Sequence, residues 1–235
     1  MSERPTTSTQ GILHPQLAAE HIDLRRYPAA NDVGRFVERY WAVHWDLRGR
    51  EPYQVELIPH PCVNISFTDA AGAEVHGVGS RTSAHPLAGA GRVFGIKFRP
   101  GGFHALTGIS AAPLTDQTRP IRDVFGTAGD ALGDAVLAAP DDHHRRQLAE
   151  TFLRDRLAPP NAEYDLVTGI VATMLAERSI TRVGQVSARF GLSTRSLQRL
   201  FRRFVGVGPK WVIRRYRLHD GAALLATGTI TDIST

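Results

Sequence analysis

The chain has 235 residues (25.7 kDa), 42% of them apolar, and its 28 Lys and Arg against 23 Asp and Glu leave a formal charge of +5. It is too apolar for a disordered chain, no run approaches the ~20 apolar residues of a membrane span, and the opening MSERPTTSTQGILHP lacks the apolar stretch of a secretory signal. Its one cysteine, Cys62, excludes an intrachain disulfide and fits a reducing, cytoplasmic setting, and a pI of about 9.9 is consistent with a nucleic-acid partner.

Residues 1–15 are polar, with Pro5, Pro15 and a Ser/Thr cluster, and read as a disordered tail. Leu17 to Pro28 reads as irregular or briefly helical. From Phe36 to Asp46 aromatic and β-branched residues favour a strand. Further strands are expected at Tyr53–Ile58, Val63–Phe67, Ala73–Val78 and Val93–Phe98, separated by turn signals such as His60-Pro61 and Gly89 to Gly91. Short strands at near-regular spacing predict a small antiparallel sheet or half-barrel. Pro100-Gly101-Gly102 breaks it, and Phe103, Leu106 and Ile109 suggest a short helix. Pro113 to Gly126 is loop-like. Helices are expected at Asp130–Ala138 and at Asp141–Leu157, the second capped by Asp141 and with Leu148, Phe152 and Leu153 as its apolar side. His143-His144-Arg145-Arg146 would be its exposed face. Pro159-Pro160-Asn161 is the clearest linker, and Tyr164–Glu177 the next helix.

The most informative stretch is Thr181 to Phe204, TRVGQVSARFGLSTRSLQRLFRRF. Val183, Val186 and Phe190 share one helical face. Gly191 accepts the left-handed backbone of a corner, Leu192 plugs it, and Ser193 is a suitable N-cap for a second helix. In that helix Leu197, Leu200, Phe201 and Phe204 fall at i, i+3, i+4 and i+7. Arg195, Gln198, Arg199 and Arg202 repeat the spacing on the opposite side. Such a helix suits a DNA major groove, where arginine pairs with guanine and glutamine with adenine. Alone, a basic helix face is more often a solvated one. Here 11 basic residues and no acid lie between Arg178 and His219, while the remainder holds 17 basic and 23 acidic residues. Solubility does not require that segregation, and it is what binding a polyanion leads one to expect.

The stretch from about Asp165 to Gly228 resembles the first half of the DNA-binding domain of AraC/XylS-type transcription regulators. The matching features are the helix-turn-helix, the turn Phe204-x-Gly206-x-Gly208-Pro209, and a long helix with Trp211, Arg215, Leu218 and Ala222 on one side. Leu57-Ile58-Pro59 and Phe98-Arg99-Pro100-Gly101-Gly102-Phe103 resemble the N-terminal sensor region of one subgroup. The resemblance implies an α+β fold: a tail (1–15), a sensor or dimerisation domain (16–160), and an all-α DNA-binding domain (161–235). It implies a reading helix at Thr194–Phe204 in the major groove of promoter DNA, with Arg195, Gln198 and Arg199 on bases. Arg202, Arg203 and Arg189 would hold phosphates, with Ser193 and Thr194 at the cap. A small-molecule effector, a second copy of the chain and RNA polymerase are the other implied partners, and no cofactor. The family continues into a second helix-turn-helix, of which Ile230 to Thr235 looks like the start, so the chain reads as a truncated regulator.

The alternative is a cupin-like ligand- or metal-binding protein or enzyme with a helical appendage. His44, His60, Cys62, His76, His85 and His104 all lie in the strand-rich region, but their spacings match no closed zinc pattern. Neither GxGxxG, GxxxxGK[ST] nor GxSxG is present, and no nucleophile, base and orienter belong together, so catalysis is the weaker reading. On the regulator reading, a form with one reader binds DNA weakly, with strong salt dependence and little sequence preference, and frays from Ala223 to Thr235. Titrating this form and one extended by a second unit against the same DNA at the same salt checks it; equal affinity and specificity would show that the first unit suffices.

Overall fold

The structure, a computed structural model, describes residues 11–226. The expected tail is only partly covered: residues 1–10 lie outside the described residues, while Gly11 to Leu13 are tied down. Ile58 donates its amide to the Gly11 carbonyl and Leu13 donates to Glu56, at a bridge between Ile12 and Leu57.

The fold is α+β. Six antiparallel strands form a sheet in the order β1 (Asp23–Pro28), β2 (Val37–Leu47), β7 (Gly89–Phe98), β4 (Asn64–Thr68), β5 (Gly72–His76) and β8 (Thr118–Pro120). β3 (Tyr53–Leu57) and β6 (Ser83–Leu87) pair separately. Three strands were not expected. Asp23–Pro28 replaces the irregular or helical segment, and only Pro15–Ala19 (α1) is helical there. β6 and β8 contain Pro86 and Pro120, which read as breakers but sit at sheet margins, where a missing amide costs no ladder bond.

Cross-strand partners project to the same face. One face carries Tyr40, Ala42, Phe94, Ile96, Ile65, Phe67 and Val75, all buried. Helices α4 (Thr127–Ala138) and α5 (Asp142–Arg154) pack against it, α4 following the one-turn helix α3 (Arg122–Phe125) within the stretch expected to be a loop. The side of α5 that turns inward matches the expectation at Leu153 and at Phe152, half-buried against the core, but not elsewhere. Ala149 and Leu153 are buried but Leu148 is 36% exposed, and Arg145, expected on the surface, is 3% exposed. Arg145 enters because Asp142 neutralises it at 2.8 Å and the Ala139 carbonyl accepts its other amino group. α2 (Gly102–Thr107) follows the sheet, but Ile109 lies outside it and is 36% exposed.

α6 (Ala162–Ala176), α7 (Val183–Phe190), α8 (Thr194–Phe204) and α9 (Pro209–Ala226) complete the described chain. The buried apolar core runs across residue 160 without a break, from Phe36 and Phe103 to Tyr164, Val167 and Phe204. Tyr164 stacks on Phe36 at 5.5 Å and on Phe204 at 6.4 Å, and donates its hydroxyl proton to the Arg35 carbonyl. Gly101 sits beneath them with φ +82, and a Cβ there would press on Val167, Phe204 and Tyr164 at 3.3–3.4 Å. On α9 the expected side is met in part: Trp211 packs on the core and Arg215 is buried, but Leu218 is 47% exposed, and Val212, Ile213 and Tyr216 are buried as well. The end of the expected fraying segment, 227–235, including the start of a second unit at Ile230, lies outside the described residues.

Because Phe204 fills the junction, Phe204→Ala should cost ~3–5 kcal/mol, the range for deleting a buried aromatic ring. Amide exchange in β7 and α6 should accelerate together. Acceleration confined to the helices would show that the two parts do not share one core.

Candidate nucleic-acid interface

α7 and α8 form the corner that the sequence prescribes. The Gln185 carboxamide oxygen accepts from the amides of Thr181 and Arg182, satisfying free donors at the start of α7. Gly191 ends that helix with φ +62. Ser193 caps α8, its hydroxyl accepting from the Ser196 amide at 3.1 Å, and the Thr194 and Ser187 hydroxyls meet at 3.3 Å. Val186, Leu197, Leu200, Phe201 and Phe204 are buried, with Phe190 and Leu192 half-buried against them. α8 packs against α6, α7, α9, α2 and the turn at Ala112–Leu114.

This packing presents the opposite side of α8 to solvent. Ser193, Thr194, Arg195, Gln198, Arg199 and Arg202 are exposed. The charged and amide groups of Arg195, Gln198, Arg199 and Arg202 make no ion pair or hydrogen bond among the described residues. Other basic groups nearby are paired. Arg189 meets Glu177 at 2.8 Å, and Arg203, half-buried over the Phe204 ring, meets Glu163 at 2.5 Å. Arg178 and Arg217 share Asp220. The acid-free window in the sequence is therefore bordered in space by three carboxylates. Their signal was present, since Glu177 and Asp220 immediately flank the window, but Glu163 reaches Arg203 only through the packing of α6 on α8. The structure thus divides the candidate set: the α8 stripe is free of carboxylates, while Arg189 and Arg203 are held by them.

Beneath α9 lies a buried polar junction with the sheet. Arg215 donates to the Ser80 carbonyl at 2.8 Å and covers the Trp211 ring, whose N–H points to the same carbonyl. His219 stacks on His60 at 4.3 Å and hydrogen-bonds the Pro59 carbonyl. Burial, with the positive charges of Lys97 and Arg215, pushes the His219 imidazole down to about 4, and the Pro59 carbonyl only partly opposes this. Lys97 is buried against Glu38 at 3.2 Å, and burial drives the neighbouring Cys62 thiol up to about 11, which makes it inert.

The remaining histidines are dispersed. His44 meets Asp142, which also takes the Tyr27 hydroxyl and Arg145. Burial alone would raise the Asp142 carboxyl, but hydrogen bonds from His44, Arg145 and Tyr27 hold it below the usual carboxylate range. His76 bridges Ser66 and Thr118, His85 meets Ser83, and His104 lies edge-on to Phe204. Among the described residues no three His, Cys, Asp or Glu side chains gather so as to hold a metal ion, and no helix is long and apolar enough to cross a membrane.

Residues 25–120, which cover the sheet from β1 to β8, match a domain of unknown function, DUF6597. No curated protein and no solved structure matches the chain.

His219 generates a pH dependence. Its unfolded value is 6.5 and its folded value about 4, so between these the unfolded chain binds a proton that the folded chain excludes. Its contribution to stability is fully present above 6.5, is lost as pH falls, and levels off below about 4. His76 and His85, also lowered by burial, act in the same direction. His219→Gln should flatten the fall in denaturation midpoint between pH 7 and pH 5; an unchanged slope would remove His219 as a cause.

Proposed function

We propose that this protein is a sequence-specific DNA-binding transcription regulator of the AraC type, with α8 as its reading helix and the sheet region as its sensing or oligomerising part. The observation that carries the reading is the unpaired stripe on α8. Four side chains at i, i+3, i+4 and i+7 stand exposed without carboxylates, on a helix whose opposite side is fixed by Leu197, Phe201 and Phe204 in a rigid core. Leaving three guanidinium groups unpaired while neighbouring arginines are neutralised keeps a concentrated positive field on one surface, which suits the phosphate backbone. The fixed helix axis supplies the orientation that base recognition needs.

In this reading Arg195, Gln198 and Arg199 contact base edges. Arg202 holds a phosphate, and Ser193 and Thr194 bring the start of α8 to the backbone, where helix amides favour anions. Arg189 and Arg203 join the phosphate contacts by exchanging Glu177 and Glu163 for DNA, so each contributes less than Arg202.

The test begins with selection of bound duplexes from a random pool by the full chain. Against a selected site, Arg199→Ala should lower affinity by ~1–3 kcal/mol and relax preference at one base pair. Arg202→Ala should weaken all sequences alike and reduce the salt slope by about 0.9. Failure to enrich any sequence, or a uniform loss from both substitutions, would overturn the assignment.

A further inference from the structure

On the face of the six-stranded sheet opposite the helices α4 and α5, the strand register aligns polar and apolar residues in rows. Arg26 pairs with Trp41, Trp41 with Gly95, Gly95 with Ser66, and Ser66 with Glu74. These five residues therefore share one face in one row across β1, β2, β7, β4 and β5. The row on one side begins with Leu24 and Val43, which with Trp45 pack against Val55, Tyr53, Leu57 and Leu87 of the separate strand pair. The row on the other side contains Arg39 and Lys97, and Lys97 is buried within electrostatic reach of Cys62 and His219. The central row thus runs between two covered ones.

Trp41 is the unexplained residue in it. A Cβ on Gly95 would fall 2.2–2.5 Å from three atoms of the Trp41 indole, so the ring lies flat on the glycine backbone. The indole is half-buried, belongs to neither apolar cluster, and has no ring or hydrogen-bond partner among the described residues. It is a platform with one side against the sheet and no core role. Beside it on the edge strand, the Arg26 guanidinium is exposed and has no carboxylate or hydrogen-bond partner among the described residues. Its charged form is disfavoured by partial burial and by Arg39 nearby. Arg39 and Lys97, in the adjoining row, both meet the Glu38 carboxylate, at 3.0 and 3.2 Å. The far end holds Glu74 and a closed chain of hydrogen bonds, Ser66 to His76 at 2.6 Å and His76 to Thr118 at 3.1 Å.

We propose that this row is a binding site for a planar organic anion, an aromatic carboxylate, with its ring on Trp41 and its carboxylate on Arg26. Flatness follows from the indole, which offers a π face. One carboxylate follows from a single guanidinium fork, whose two parallel donors match its geometry. Orientation follows from Glu74, which repels the anionic end toward β1. Strands are ~4.8 Å apart, so from Arg26 to Ser66 is roughly 14 Å, room for a ring system of one or two fused rings and its carboxylate. The proposal adds a ligand class to the sensing role inferred above; it rests on that reading only for its regulatory meaning, since the site itself stands on the sheet.

The test is calorimetric titration of the full chain with 2-naphthoate, with uncharged 2-naphthamide and non-planar cyclohexanecarboxylate as comparisons. 2-Naphthoate should bind one to one, and the two comparison compounds at least tenfold more weakly. Arg26→Gln and Trp41→Leu should each weaken 2-naphthoate at least tenfold. Arg25→Gln, on the opposite face and paired with Asp23, should change it less than twofold. Absence of saturable 2-naphthoate binding, or binding that survives Arg26→Gln, would overturn the site. Arg26 lies exposed on an edge strand, so that variant decides the matter even if Trp41→Leu fails to fold. DNA selection on the same preparation reads the regulator assignment independently, so loss of one proposal leaves the other measurable.

Discussion

The contact on which the rest depends is the stack of Phe36, Tyr164 and Phe204 over Gly101. A helix-turn-helix of this size has too little interior of its own to fix the direction of its exposed helix. Here the last apolar residue of α8, Phe204, inserts between Tyr164 of α6 and His104 of α2. Gly101 can lie beneath only because its φ of +82 and lack of a Cβ let the backbone approach. The neighbouring Gly102 faces the Phe36 carbonyl, which a Cβ would meet at 2.2 Å. The Pro100-Gly101-Gly102 corner is thus the seat on which α6 and α8 are mounted.

From that seat follows the electrostatic division of the basic residues. Arginines that point toward α6 or along its flank find Glu163 and Glu177, because packing brings those carboxylates within reach. Arg195, Arg199 and Arg202 on the outer side of α8 pair with no carboxylate among the described residues. Exposed pairs of this kind contribute little to stability. Their effect is on the field: they cancel charge where the helices meet and leave it where the surface is open.

How much of this was legible in the sequence depended on whether the determining contacts were local. The corner from Val183 to Phe204 was readable residue by residue, because Gly191, Ser193 and the apolar spacing act within a few positions. β2 declared itself by composition, but β7 only from Val93 on: Gly89 to Gly91 read as a turn and instead continue the strand, paired with Leu47 to Trp45. β1, β6 and β8 did not declare themselves, since DLRRYP, SAHPL and TRP carry no alternation and become strands only through their partners. The inner side of α9 was legible only in part, for a related reason. Arg215 and His219 are buried on carbonyls of Ser80 and Pro59, far away in the chain, and nothing near them in sequence announces those acceptors. Trp41 on Gly95 is equally non-local, although a signal existed: two tryptophans four apart on one strand and two glycines, Gly91 and Gly95, four apart on its partner.

The helices are attached to the sheet region at more than one point, and those points are themselves joined. The C-terminal end of α8 is held by the Ala111 amide on the Arg203 carbonyl and by the Thr115 hydroxyl on the Gly206 carbonyl. Gly206, at φ +94, must be glycine there, since a Cβ would meet the Ala111 carbonyl at 2.9 Å. α9 is held by Ser80 and Pro59. Asp116 closes the circuit: its carboxylate accepts the Ser80 amide at 2.6 Å and its own amide donates to Val78. Segment 111–116, which grips α8, and segment 78–80, which grips α9, therefore move as one piece. The Ala111 amide and the Ser80 and Pro59 carbonyls are main-chain attachments, while the Thr115 hydroxyl, the Asp116 carboxylate and the His60 ring under His219 are side-chain ones. A displacement of either segment, or loss of the Thr115 or Asp116 side-chain bonds, therefore strains the seat of α8 and α9 together.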